Sequence, residues 1–189
     1  ASFKQRRHEK EGRKGPHPEV PLYTTDDAQA CFPLLSSVSY GEPVVLGDGI
    51  EATFRDAGHV LGSSMIRLKV KQDNQERIII FSGDIGRYGK PILREPTLFD
   101  EADYVLVEST YGDRLLEPPE ETAGQLAEHI NLTAQKGGNI IIPSFALERT
   151  QEVMYHLTRL LLEGRIPHLL VSVDSPLAIR ITEVFTNHP

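Results

Sequence analysis

The chain has 189 residues, a formal net charge of −7, one cysteine and no tryptophan. That length is enough for a real hydrophobic core, while the lone Cys31 excludes an internal disulfide and a multi-cysteine zinc finger. Apolar residues at 39% and charged residues at 25% describe a globular chain, and no apolar run approaches the roughly 20 residues of a membrane helix.

The first 14 residues carry six Lys or Arg (Lys4, Arg6, Arg7, Lys10, Arg13, Lys14) against Glu9 and Glu11, a balance of +4 that leaves −11 on the rest. No apolar stretch of signal-peptide type follows these charges. A basic arm of this kind binds phosphates electrostatically, but with the Gly and Pro of residues 12–18 behind it the expectation is a solvated linker. A single cysteine fits a reducing compartment, and so a cytoplasmic location, or a chain that needs no disulfide.

Thr25-Asp26-Asp27 reads as an N-cap with acids in the first turn of a short helix that Pro33 stops. Residues 49–56 then alternate around Ala52 and Phe54. In residues 64–71, Ile66, Leu68 and Val70 share one face and Arg67, Lys69 and Lys71 the other, which predicts a strand with one wet face. Asp73-Asn74 supplies a turn, and Arg77-Ile78-Ile79-Ile80-Phe81 reads as a strand buried on both sides. A further buried strand is predicted at Tyr104-Val105-Leu106-Val107. Pro118-Pro119 opens a helix to about Lys136, closed by Gly137-Gly138. After it come strand 139–142, helix 146–163, strand 168–173 and helix 176–185. Strands alternating with helices imply βαβ units and a parallel sheet, so the fold class is α/β, with a domain boundary near residues 112–118.

Three polar residues stand where apolar strands end, each among small residues. They are His59 in Ala57-Gly58-His59-Val60-Leu61-Gly62-Ser63-Ser64, Asp84 in Phe81-Ser82-Gly83-Asp84-Ile85-Gly86, and Glu108 in Val107-Glu108-Ser109-Thr110-Tyr111-Gly112. Glycines let the backbone turn sharply and let a ligand approach. An imidazole with carboxylates is a donor set that zinc accepts. The same residue types also serve as an ordinary loop histidine and as turn or helix caps, and spacing alone does not choose between these roles.

The strings AGHVLGSS, FSGDIGR and VESTYG, in this order, resemble the β-CASP branch of the metallo-β-lactamase superfamily. The resemblance continues through Pro21-Leu22-Tyr23-Thr24, Pro91-Ile92-Leu93, Pro143-Ser144-Phe145-Ala146 with Arg149-Thr150-Gln151-Glu152, and Asp174-Ser175-Pro176-Leu177-Ala178, and so covers about residues 20–185. It implies part of an αββα lactamase sandwich in residues 1–112, followed by the start of a βαβ β-CASP domain in residues 113–189. By the same resemblance His59 and Asp84 are metal ligands, Asp84 as the bridge between two zinc ions, and Asp84 and Glu108 are catalytic, Glu108 by supporting the site from behind the ligands. The implied reaction is hydrolysis of an RNA phosphodiester by metal-bound hydroxide, because the ESTYG-type string resembles RNA-processing rather than DNA-repair members. The alternatives are a non-catalytic scaffold subunit, a DNA nuclease and a small-molecule hydrolase of the same superfamily.

Two positions depart from the family pattern. Glu148 stands where many relatives have Gly, and Gly89-Lys90 replaces an acid. A larger departure is that no His-x-His-x-Asp-His string occurs in residues 1–189, and none of the seven histidines forms a His-x-His pair. The chain is therefore expected to be a partial piece, weak or inactive alone, with an uncovered sheet face or edge that pairs with a missing segment or a second copy of itself. Ser144, Arg149 and Ser175 are candidate RNA-binding residues, by backbone N–H groups at a helix start, by a guanidinium and by a place on the cleft wall. Ser144 and Arg149 are equally readable as a helix cap with a surface ion pair, and Ser175 as a strand end before a Pro near helix position N1. Tyr111 is a candidate for base stacking, more readily read as surface packing, and Arg87 and Lys90 for steering an anionic substrate.

Overall fold

The computed structural model describes residues 2–12, 21–115 and 119–188. Arg13, Lys14, His17 and the Gly/Pro stretch that ends the basic arm lie outside the described residues, as does Pro118. The chain divides into two compact units, residues 1–38 and 39–189.

In the first unit, Ser2–Glu11 forms helix α1 rather than the expected linker. The reason is local: residues 2–11 contain neither Gly nor Pro, their Lys, Arg, Gln and Glu side chains favour helix, and Arg7 reaches Glu11 one turn on at 2.9 Å. Helix α2 spans Thr25–Ala30. Its cap is Thr24, one residue earlier than predicted, in a reciprocal capping box: the Asp27 N–H donates to Thr24 Oγ1 at 3.2 Å, and the Thr24 N–H to the Asp27 carboxylate at 2.8 Å. Pro33 does end the helical run, inside a 3₁₀ turn over Phe32–Leu34.

In the second unit a five-stranded sheet runs in sequence order through β1 (Pro43–Gly47), β2 (Ile50–Asp56), β3 (Ser64–Gln72), β4 (Gln75–Phe81) and β5 (Tyr104–Leu106). All pairs are antiparallel except β4 with β5. The β3–β4 turn is tight because Asp73 and Asn74 both adopt positive φ, at 49° and 62°, which these residues tolerate.

The register overturns the predicted wet face of β3. Met65 lies in the row of Arg67 and Lys69 and is 4% exposed, and that row meets buried Thr53 and Ile80 across the ladder. Arg67 and Lys69 lay their stems over this row and end on Glu101 at 3.2 Å and Glu51 at 3.8 Å. The opposite row, Ile66, Leu68 and Val70, is only half-buried, and its neighbours Phe81, Tyr104 and Leu106 are exposed. Strand β4 is accordingly buried on its Ile78 and Ile80 side only. Strand β5 is exposed along its length, against expectation, because it is the sheet edge and its side chains are not closed over.

Beyond the sheet come helices α3 (Pro119–Gln135), α4 (Arg149–Leu162) and α5 (Pro176–Thr186). Gly137, at φ +65°, and Gly138 close α3 as predicted, returning N–H groups to Ala134 and Thr133. Ala127 and Ile130 of α3 pack with Leu160 of α4 and with Ile166 to form the buried cluster of this part. Gln151, 6% exposed, donates to Thr182 Oγ1 at 2.9 Å and so ties α4 to α5. Helix α4 starts at Arg149, three residues later than predicted.

Runs 139–142 and 168–173, predicted as strands of a parallel sheet, are not strands. No backbone hydrogen bond among the described residues joins them, and Ile141 and Leu170 are 89% and 96% exposed. A strand exists only where a neighbour takes up its N–H and C=O groups, and here the two runs instead flank a cavity of about 560 Å³ over Ile130, Val153 and Leu157. The architecture is α/β with a mixed sheet.

Candidate metal-centre loops

The His59 loop joins β2 to β3 and is pinned by side chains at both ends. Asp56 Oδ1 accepts the Gly58 N–H at 2.8 Å, and Ser63 Oγ accepts the N–H groups of His59 and Val60, each at 3.1 Å. The Tyr40 hydroxyl donates to the Ser63 carbonyl at 2.8 Å. Gly58 sits at φ +61° with its face against Arg94 and Pro96, where a Cβ would come within 2.7 Å of backbone. Across from it, a Cβ on Gly86 would lie 1.7 Å from the Gly58 carbonyl oxygen, so only glycine lets the Asp84 loop close against the His59 loop. The Gly86 N–H donates to the Ala57 carbonyl at 2.7 Å and locks that contact.

Glu108 holds the third side. Its Oε1 accepts the Ile85 N–H and its Oε2 the Thr110 hydroxyl, each at 2.6 Å, so the carboxylate is built into the loop that carries Asp84. The Thr110 hydroxyl, then the Ile85 N–H and then the nearby His59 hold its pKa below the usual glutamate value, despite some burial. Ser82, buried at the end of β4, is a fixing residue that sequence reasoning missed. Its Oγ donates to the Gly83 carbonyl at 2.6 Å and accepts the Glu108 N–H at 3.0 Å. The available signal was a small hydroxyl residue between an apolar strand and a glycine.

The loops bearing His59, Asp84 and Glu108 therefore meet at one end of the sheet. His59 and Glu108 are half-buried, while Asp84 is exposed. A histidine and an aspartate are donors that zinc takes, but two ligands fall short of the three or four that complete a zinc site. Among the described residues no group of three or more His, Cys, Asp and Glu side chains is arranged around a common metal position.

The other candidates, Tyr111 apart, fall into two separate places. Arg149 lines a cleft of about 390 Å³ together with Arg87, Lys90, Tyr155, His156 and Arg159. Its guanidinium is paired with Glu152 at 2.9 Å. Ser144 and Ser175 line the 560 Å³ cavity instead. Ser144 is exposed and does not cap α4, while Ser175 caps α5 by accepting the Ala178 N–H at 3.2 Å. Tyr111 is exposed, with the Arg114 guanidinium 5.9 Å from its ring centre. The two departures noted in the sequence meet in space, since Lys90 Nζ lies 3.7 Å from Glu148 Oε1.

No family model matches the chain. Curated relatives do. Ribonuclease TTHA0252 of Thermus thermophilus is 36% identical over 168 residues, covering 88% of this chain and 37% of that protein. An RNase J-like protein of Methanocaldococcus jannaschii is 32% identical over 169 residues, covering 88% and 39%. Endoribonuclease YSH1 of Eremothecium gossypii is 35% identical over 136 residues, covering 70% and 17%. The chain thus spans less than two-fifths of the length of each of these three relatives. Taken with the AGHVLGSS, FSGDIGR and VESTYG loops that converge at the sheet end, these similarities show that the chain belongs to the β-CASP branch of the metallo-β-lactamase superfamily.

Proposed function

We propose that the complete protein to which this chain belongs is a zinc-dependent RNA endonuclease, acting in the cytoplasm. The convergence of the His59, Asp84 and Glu108 loops, in a chain similar to proteins named as ribonucleases, carries the reading. In it, His59 and Asp84 would hold the metal, and Glu108 keeps the Asp84 loop in place through the Ile85 N–H. Bound zinc ions would supply charge neutralisation and an activated water. The phosphodiester is recognised by the cationic cleft at Arg149, with Ser144 and Ser175 as further contacts along the substrate path.

The domain division that accompanies this reading is 1–112 for the lactamase-type part and 113–189 for the start of the β-CASP part. The exposed row of Phe81, Tyr104 and Leu106 and the unpaired runs at Ile141 and Leu170 support the view that this is a partial piece, covered in the complete protein by further chain or by a second copy. No helix among the described residues is long and apolar enough to cross a membrane.

The test is cleavage of sequence-matched RNA and DNA strands by the complete protein, with and without a chelator. Internal cuts in RNA only, lost on chelation and restored by zinc, are the expected result. Equal cutting of both strands would replace the substrate assignment with a general nuclease. No cutting of either would favour the scaffold reading.

A further inference from the structure

Glu148 is an unusual residue for its position. It stands at φ +69°, a conformation that residues with a Cβ rarely adopt, and it is 5% exposed. It occupies the N-cap of α4, yet its side chain caps no N–H group. Neither carboxylate oxygen has a hydrogen-bond partner among the described residues. Burial raises its pKa, against the lowering effect of Lys90 and Arg149 and with Glu152 adding to the rise. A carboxylate held this way contributes poorly to stability as a cap or as a surface charge, and its close counter-charge is Lys90.

Lys90, in turn, has its side chain 15% exposed and spends its ammonium on the His59 loop, donating to the His59 carbonyl at 2.8 Å. The N–H groups of Gly58, His59 and Val60 are held within their own loop by Asp56 and Ser63. The carbonyl that follows the His59 side chain is held from outside, by Lys90. One ammonium thus ties the peptide bearing the candidate metal ligand to the first turn of α4.

We propose that Lys90 is a positioning residue that fixes the His59 loop against the start of α4, with Glu148 as its buried counter-charge. The pair sets the aim of the His59 imidazole and couples the candidate metal loops to the helix that carries Arg149. Its catalytic consequence rests on the nuclease reading above; its structural consequence does not.

The experiment is hydrogen exchange followed by mass spectrometry on the complete protein, comparing wild type with Lys90→Met, Glu148→Gln, the double variant and Lys90→Arg. The expected result is exchange about tenfold faster across residues 57–63 in both single variants, with β3 and β4 unchanged. The double variant should be no faster than either single one, since both break the same link. Lys90→Arg, which keeps a cationic donor, should restore protection. RNA cleavage by Glu148→Gln, which leaves the cations of the cleft in place, should show kcat lowered about tenfold with KM within about twofold of wild type. Unchanged exchange in 57–63, or a uniform loss of protection across the sheet, would overturn the proposal. Loop opening in the variants of a wild type that cuts no RNA would sustain the positioning role and sink the nuclease reading instead.

Discussion

The sheet and the helical part of residues 39–189 are organised in opposite ways. In the sheet, β2, β3 and β4 are fully laddered, and the loops at their ends are fixed by side chains: Asp56 and Ser63 on one loop, Ser82 and Glu108 on the other. In the helical part, three helices pack through Ile130, Leu160 and Gln151, but the apolar runs between them stay unpaired and exposed. A helix satisfies its own backbone, so it forms once one face is covered, whereas a strand forms only beside a neighbour that takes up its N–H and C=O groups. The contrast separates residues proposed to carry chemistry from residues whose loss removes packing.

The largest effect should come from the sheet end. Asp84→Ala in the complete protein is expected to lower RNA cleavage to background while changing unfolding free energy by less than about 1 kcal/mol, because the side chain is exposed. Cleavage assays beside urea melts check both halves. The packing counterpart is Leu160→Ala. That side chain is 1% exposed in the helical cluster, and its truncation should cost about 3 kcal/mol in a urea melt. Between these lies Glu108→Ala, which frees the Ile85 N–H and Thr110. Activity should fall about 10- to 100-fold, with a smaller loss of stability.

The buried carboxylate of Glu148 predicts a pH effect. A group whose pKa is raised in the fold binds its proton more tightly there than in the unfolded chain, so its contribution to stability falls as pH rises from the ordinary carboxylate range through the raised value. Glu148→Gln should flatten that part of the decline in urea midpoints taken from about pH 4 to 7, where glutamates titrate. An unchanged slope would show that Glu148 titrates as an ordinary exposed acid. The smallest effect belongs to the unpaired runs. Leu170→Ala should shift stability of this chain by no more than about 0.5 kcal/mol, because little of the side chain is buried to lose. A cost near that of Leu160→Ala would mean that the run is covered in solution.

The three loops at the sheet end were the most legible feature in the sequence. His59, Asp84 and Glu108 stand at ends of apolar strands beside glycines, and the need for glycine is local: Gly58 at positive φ and Gly86 in backbone contact leave no room for a Cβ. Strands β2 to β4 were readable to within two residues at their ends, because the turn at Asp73-Asn74 and the boundaries at Gly49 and Ser64 are chemical signals in the chain itself. Burial was not readable at Tyr104–Leu106, Ile141 or Leu170, since an apolar run states that it needs a cover and not whether one is present. Helix α1 was not legible because its basic charge and the Gly and Pro that follow it point to a linker, while its helix-favouring residues are a weak local signal. The link between Lys90 and Glu148 was beyond reach, as it joins residues far apart in sequence whose only local sign was an odd residue at each place.

The central claim is that His59 and Asp84 hold metal in the complete protein, and metal analysis after gel filtration measures it most directly. The account predicts two zinc ions per chain in wild type, a marked loss in His59→Ala and in Asp84→Ala, and little zinc on residues 1–189 alone. Undiminished zinc in both variants, or tight binding of two ions by the isolated segment, would contradict it.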